Sequence, residues 1–335
     1  MAMRSALVAV VAVALAACGG SEPEAPETPA WNTRDGGPPQ VIAHRGASGE
    51  RPEHTVGAYI LAINQGADVI EPDLHMSGDG RLIVRHDGFL SRSTDIARRA
   101  RFAERRRELK GREDWWIHDF TARELGTLRA RQTENGRSAA YDGQYGVMTF
   151  DAFLDLIAEA EAECGCTIGI APEVKHPAEY AAMGLDPLPA LLAALSEHYT
   201  LGPDAPVVVQ SFDPDFLRRL DSETDLRLAM LYAGPGEDGA NAGGLSLPGI
   251  AQFADIVAPN KAVLFDRDGE STGYVARAHA AGLDVHAWTV RDDRAPWVGD
   301  TVEDELRALY DEGVDAVFAD FPETALAVRE DMAGE

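Results

Sequence analysis

Glu71-Pro72-Asp73 sets two carboxylates at i and i+2, the spacing that puts both on one side of an extended strand. A third, Glu173, stands two residues before Lys175. Three hard oxygen donors suit Ca²⁺ or Mg²⁺ better than zinc. The same acids could instead pair with Arg45 and Lys175 in a salt-bridge network. His44 and His86 each end a short apolar run, in "VIAHR" and "LIVRHD". Two imidazoles facing each other across a phosphate can act as general base and general acid. The competing reading for each is a hydrogen-bonded core histidine. Arg45 as a fork and Lys175 as a point charge would hold phosphate oxygens. No cysteine of the chain suits a nucleophile.

These residues must be positioned by strand ends. Near-continuous apolar runs predict strands at about 41–44, 68–72, 168–174, 206–211, 226–231, 254–258, 284–290 and 315–319. Amphipathic segments alternate with them. Thr55 is placed to cap a helix that closes on Gly66, Thr121 and Glu124 form a capping box, and 149–165 repeats apolar residues on one stripe. Eight strands alternating with helices predict an α/β fold, a (β/α)8 TIM barrel over 40–335. An open doubly wound sheet is the rival, but "HRGASG" lacks its phosphate-loop glycine spacing. The strand ends then deliver His44 and Arg45, Glu71 and Asp73, Glu173 and Lys175, Gln210 with Phe212, Trp288, and Asp320 to one face.

Only Ser77–Gly80 separates 73–76 from 81–86, too short for a parallel crossover. This predicts a rim hairpin that pairs Val84 with Asp73 and returns His86 to the carboxylates near Glu71. An insertion over about 88–148 should form a small cap on the same rim. Its basic run, Arg92 to Arg112, reads as a solvated helix face that could rest on anionic headgroups.

Residues 1–17 read as a secretory signal, and Leu15-Ala16-Ala17-Cys18 resembles a bacterial lipobox with Cys18 as the lipidated residue. Gly19 after Cys18 resembles the outer-membrane sorting pattern more than inner-membrane retention. Residues 18–39, rich in Pro, Glu and Gly, read as a flexible linker. The expectation is a lipid-anchored protein of the cell envelope, facing the periplasm. Cys164 and Cys166 read as two buried thiols, because a bridge across one residue closes a tight loop. A formal charge of −26, from 56 acidic against 30 basic residues, argues against nucleic acid as a partner. A small phosphate ester remains open, because a bound cation reverses the local field.

"HRGASGERPEHT", "GADVIEPDLHMSGDGRLIVRHD", "PEVK", "QSF" and "AWTVR" together resemble the glycerophosphodiester phosphodiesterases, especially their periplasmic bacterial branch. The resemblance runs from Val41 to near the C-terminus. It implies a TIM barrel, one divalent cation (Ca²⁺ first, Mg²⁺ next), and cleavage of glycerophosphodiesters to glycerol 3-phosphate and an alcohol. By motif it implies His44 and His86 as catalytic residues, Glu71, Asp73 and Glu173 as metal ligands, and Arg45 and Lys175 as phosphate groups. It also implies Gln210, Phe212 and Trp288 around the glycerol, and attack by the substrate's own hydroxyl through a cyclic phosphate. Two alternatives stand beside it: a lysophospholipase D-like phosphodiesterase, and a barrel that binds phosphodiesters without turnover.

Overall fold

The structure, a computed structural model, describes residues 31–234 and 244–334. The expected leader 1–17, Cys18 and residues 19–30 lie outside the described residues. Strands and helices alternate as β1 (Gln40–His44), α1 (Val56–Gln65), β2 (Val69–Glu71), β3 (Asp73–Met76), β4 (Leu82–Val84), β5 (Arg107–Leu109), β6 (Arg112–Asp114), α2 (Ala122–Leu125), α3 (Phe150–Cys164), β7 (Gly169–Ile170), β8 (Glu173–Val174) and α4 (Pro177–Ala182). The strands that follow are β9 (Val208–Ser211), β10 (Arg227–Tyr232), β11 (Ile256–Pro259), β12 (Asp284–Val290) and β13 (Ala316–Ala319), with helices between them.

The chain forms the TIM barrel. Two of its positions are interrupted at prolines, which cannot donate to the ladder: β2 gives way to β3 at Pro72, and β7 to β8 at Ala171-Pro172. Around the ring, β1 pairs in parallel with β2, β2 with β7, β3 with β8 and β8 with β9. The sequence β9-β10-β11-β12-β13 then returns to β1. The period of two along each strand sorts the interior into layers. Ile42, Val69, Ala171, Ala316 and Phe318 form an apolar plug. Two residues further along their strands stand His44, Glu71, Glu173 and Asp320, so the polar layer rests directly on the plug. A larger core packs the outer strand faces, such as Val41, Ile70, Val209 and Val317, against the helices.

The helix signals act locally as read. Thr55 accepts from the Ala58 N–H, and Gly66 closes α1 at φ 90°. Thr121 and Glu124 form a reciprocal capping box. Thr149 caps α3, whose Phe150, Phe153, Leu154 and Ile157 are buried.

Four expectations change. The rim hairpin exists, but Leu74, not Asp73, stands opposite Val84. The Ser77 N–H bonds the Arg81 carbonyl at 2.9 Å, with Gly80 at φ 78°, so the loop holds three residues and the register moves by one. The basic run is not a helix: it folds as two short 3₁₀ segments and the first strand of the β5–β6 hairpin. Its guanidinium groups are largely engaged, Arg105 with Glu124, Arg107 with Asp119 and Arg99 with Asp95. Cys164 and Cys166 are exposed and joined by a disulfide. Gly165 ends α3 in the left-handed region at φ 64°, and this turn leaves the two Cα atoms 5.2 Å apart, within bridging range. The linker reading also fails for its last part, residues 31–39. Trp31 packs edge-on against Tyr310 at 6.1 Å, Asn32 donates to the Asp311 carbonyl, and Arg34 pairs with Asp284.

Residues 88–148 build a layer of their own on the rim. Leu90, Ile96, Phe102, Trp115, Ile117, Phe120, Leu125, Leu128 and Val147 form a separate apolar core over Ile83 of the hairpin.

Candidate active site

The polar layer opens into a cavity of about 190 Å³ lined by His44, Arg45, Glu71, His86, Glu173, Lys175, Gln210, Phe212 and Trp288. With Asp73 beneath them, the strand-end residues singled out from the sequence are therefore brought together. Asp73 stands in register with Glu173, Glu173 with Gln210, and His44 with Glu71.

The carboxylates of Glu71, Asp73 and Glu173 are buried, and one oxygen of each lies within 4.8 Å of the others. Burial and the Asp73 charge push the Glu71 pKa well above the usual carboxylate range. Glu173 is raised mainly by burial. Asp73 is held well below despite its burial, chiefly by Lys175 and by a hydrogen bond from His54. Lys175 Nζ lies 3.0 Å from Asp73 Oδ1 and 2.7 Å from Glu173 Oε1, and Arg45 Nε lies 3.4 Å from Asp73 Oδ2. The salt-bridge network expected as the alternative is thus present, but its cations leave Glu71 disfavoured as an anion. Three crowded hard-oxygen donors with that deficit fit a divalent cation such as Ca²⁺ or Mg²⁺.

Arg45 leaves β1 at φ 61°, an uncommon conformation for a non-glycine residue. Its N–H donates to Glu71 Oε2 at 2.8 Å and its Nη1 to Glu53 Oε2 at 2.9 Å. Gly46 follows at φ 79°, and a Cβ there would sit 2.7 Å from the Ala58 backbone. Burial opposes the Arg45 charge, but Glu53, Asp73 and Glu71 outweigh it and raise its pKa.

Each histidine is held at Nδ1 by an aspartate: His44 by Asp320 at 2.6 Å, His86 by Asp87 at 2.9 Å. That fixes the ring and leaves Nε2 as the working nitrogen. Burial, then Arg45, lowers the pKa of both, while the aspartate at each Nδ1 opposes that shift. Asp320 is further gripped by Arg137 of the inserted segment at 2.5 Å. Gln210 Nε2 donates to the Ala171 carbonyl at 2.9 Å, and its Oε1 is buried without a hydrogen-bond partner among the described residues. Phe212 and Trp288 meet edge to face at 5.9 Å, and Trp288 Nε1 donates to the Ala258 carbonyl.

Several supports were not singled out from the sequence. His54, at φ 57°, bridges Asp73 and the Tyr59 hydroxyl, each at 2.8 Å. Burial lowers its pKa to about 4. Glu53 joins Arg45 to the fully buried Arg85. His75 bonds the Tyr180 hydroxyl and the His86 carbonyl. Glu53 and His54 were visible in "ERPEHT" as charge inside a loop, but nothing local pointed them at Asp73. Arg137 carried no signal, because its partner lies 183 residues away.

Residues 44–324 match the model of the glycerophosphoryl diester phosphodiesterase family. A glycerophosphodiester phosphodiesterase of Haemophilus influenzae is 30% identical over 85% of this chain and 88% of its own length. One of Treponema pallidum is 29% identical, over 84% of this chain and 89% of its own. A phosphodiesterase of Oleispira antarctica, solved with its product sn-glycerol-3-phosphate, superposes with a TM-score of 0.63 at 23% identity. That match spans 89% of this chain and 99% of the other.

Proposed function

From the premise that the chain belongs to the glycerophosphoryl diester phosphodiesterase family and is an enzyme of that class, we propose that it hydrolyses glycerophosphodiesters to glycerol 3-phosphate and an alcohol, by paired-histidine catalysis beside a divalent-cation site. The observation that carries this reading is the cavity itself. Two aspartate-held imidazoles and two cations converge on the carboxylate trio. Arg45 and Lys175 hold the phosphoryl oxygens. Gln210, Phe212 and Trp288 border the glycerol end, with the unpaired Gln210 Oε1 available to a hydroxyl donor.

His44 Nε2 takes the proton from the substrate's neighbouring glycerol hydroxyl as that oxygen bonds to phosphorus. The bond from phosphorus to the leaving oxygen breaks, and His86, which enters this step as the imidazolium, gives that oxygen its Nε2 proton. In the second half the roles reverse. His86 takes a proton from water as the water oxygen bonds to phosphorus, the ring P–O bond opens, and His44 returns its proton to the glycerol oxygen. Asp320 and Asp87 keep each ring oriented throughout. Glu71, Asp73 and Glu173 would hold the ion, Ca²⁺ first and Mg²⁺ second. When bound, it supplies charge neutralisation at the phosphoryl oxygens.

The leader and the Cys18 lipobox support anchoring by lipid in the envelope, periplasm-facing and at the outer membrane. The substrates would then be deacylated phospholipids beside that membrane. The direct test is glycerol 3-phosphate release from glycerophosphocholine by metal-stripped protein, then with Ca²⁺, Mg²⁺ or EDTA. Restoration by a divalent ion and loss with EDTA are expected. Full turnover by the stripped protein in EDTA would sink the cation role, and no release under any condition would sink the reaction.

A further inference from the structure

The small cavity is not the end of the site. At His86, Glu173, Lys175 and Phe212 it runs into a groove of about 860 Å³. Those two sizes separate two jobs: roughly 300–1,000 Å³ is the range of sites that enclose drug-sized ligands. The inner cavity lies below it and the groove near its top. The groove has two walls. One is the inserted segment, with Leu109 and Trp116; the other is the α4 region, with Tyr180 and Met183. Its charges are already spoken for. Lys110 at the β5–β6 tip pairs with Glu179 of α4. Arg112 lies 4.0 Å over the Phe89 ring and 3.6 Å from Asp114. The Trp116 N–H and Tyr180 hydroxyl are also bonded, to the Arg107 carbonyl and to His75. The larger share of the surface facing the groove is apolar, with His118, His176 and Asp213 also in its lining. Two large apolar side chains exposed on the surface, Met183 at 47% and Phe212 at 37%, lie on its rim.

We propose that this groove is the subsite for the leaving alcohol and that it selects alcohols carrying an apolar body. The proposal rests on the phosphodiesterase reading above. His86, the group that protonates the leaving oxygen, is shared by cavity and groove, so the departing side of the substrate points along the groove. The glycerol side is confined by Leu231, Trp288 and Phe318 to the inner cavity. An acyl chain therefore fits on the alcohol and not on the glycerol. The leaving alcohol departs with one proton from His86 and needs no other co-reactant.

Two isomeric probes test this, carrying one octanoyl group at opposite ends of glycerophosphoethanolamine: on the amine, or on the glycerol as a lysophospholipid. Unmodified glycerophosphoethanolamine is the reference. The expected kcat/KM for the N-octanoyl diester is at least tenfold above the reference, about 1.4 kcal/mol in the transition state. The glycerol-acylated isomer falls below the reference. Met183→Ser and Leu109→Ser, neither in the buried core, reduce the N-octanoyl preference severalfold more than they reduce reference turnover. Equal rates for the N-octanoyl diester and the reference overturn the subsite, as does a preference for the lysophospholipid. No turnover of the reference diester is a different failure, because it removes the reaction on which the subsite rests.

Discussion

At the N-terminal mouth of the barrel, Asp68, Asp255, Asp284 and Asp315 stand at or one residue before a strand. Each is met by donors made for it. Asp68 accepts from the Val41 N–H at 2.7 Å and from Arg329 at 2.5 Å. Asp255 accepts from the Leu228 N–H at 2.9 Å. Asp284 pairs with Arg34 and Arg227. Asp315 accepts from the Val285 and Arg34 N–H groups and from His279. At the C-terminal mouth, Glu71, Asp73 and Glu173 are buried together and share Arg45 and Lys175. Burial opposes the charge of Asp315 too, yet its donors hold its pKa below the usual range, while Glu71 is driven well above. Carboxylates that each have donors of their own fasten strands. Carboxylates crowded beyond their donors are poised for an ion or a proton, and perturbation of this kind marks sites of chemistry. The rest of the structure supplies the stability that this crowding costs.

The contrast can be broken in four ways. The largest effect belongs to the C-terminal mouth: His44→Ala should lower kcat by about 10²–10⁴-fold with little change in unfolding midpoint. Unfolding in step with the activity loss would make His44 a structural residue. Next is His286, buried lower in the barrel and in register with Ala316 at the start of β13. Burial, reinforced by Arg227, lowers its pKa to about 4. The unfolded chain binds this proton near pH 6.5 and the folded one only near pH 4, so stability falls as pH drops through that window. The loss amounts to about 3 kcal/mol. Denaturant titrations at pH 7, 5.5 and 4.5 should show His286→Gln losing much of that slope; an unchanged slope counts against the assignment.

Arg137 links the inserted segment to the catalytic end, so Arg137→Ala should reduce kcat by roughly 10–100-fold, the worth of one charged hydrogen bond, at near-constant KM. A change confined to KM would mean that Arg137 contacts substrate instead of steadying Asp320. The smallest effect is at the N-terminal mouth. Asp255→Ala leaves the Leu228 N–H without its acceptor and should cost about 1 kcal/mol of stability with kcat unchanged. A loss of activity larger than the loss of stability would erase the distinction between the two mouths.

Much of the catalytic end was legible before folding because strand chemistry is local. Glu71 and Asp73 share a face by the period of two, and the caps of α1, α2 and α3 lie within three residues of what they cap. The hairpin register was missed by one residue because it depends on which side of Gly80 the loop closes. The docking of Trp31 and Arg34 was missed because a Pro- and Glu-rich stretch looks solvated until Tyr310 and Asp284 are placed beside it. The Cys164–Cys166 bridge was missed because Gly165 turns the chain in a way that spacing alone does not display.

What the sequence by itself determined is the alternation of strands and helices, the chemical types at the strand ends, and the side of each strand they occupy. These follow from steric and hydrogen-bond preferences between residues a few positions apart. Only the tertiary structure decided which carboxylates share Arg45 and Lys175, that Arg137 reaches Asp320, and that the inner cavity opens past His86 into a groove between two distant segments. Those outcomes are sums of burial and charge over groups as much as 183 residues apart, and no local pattern carries such a sum.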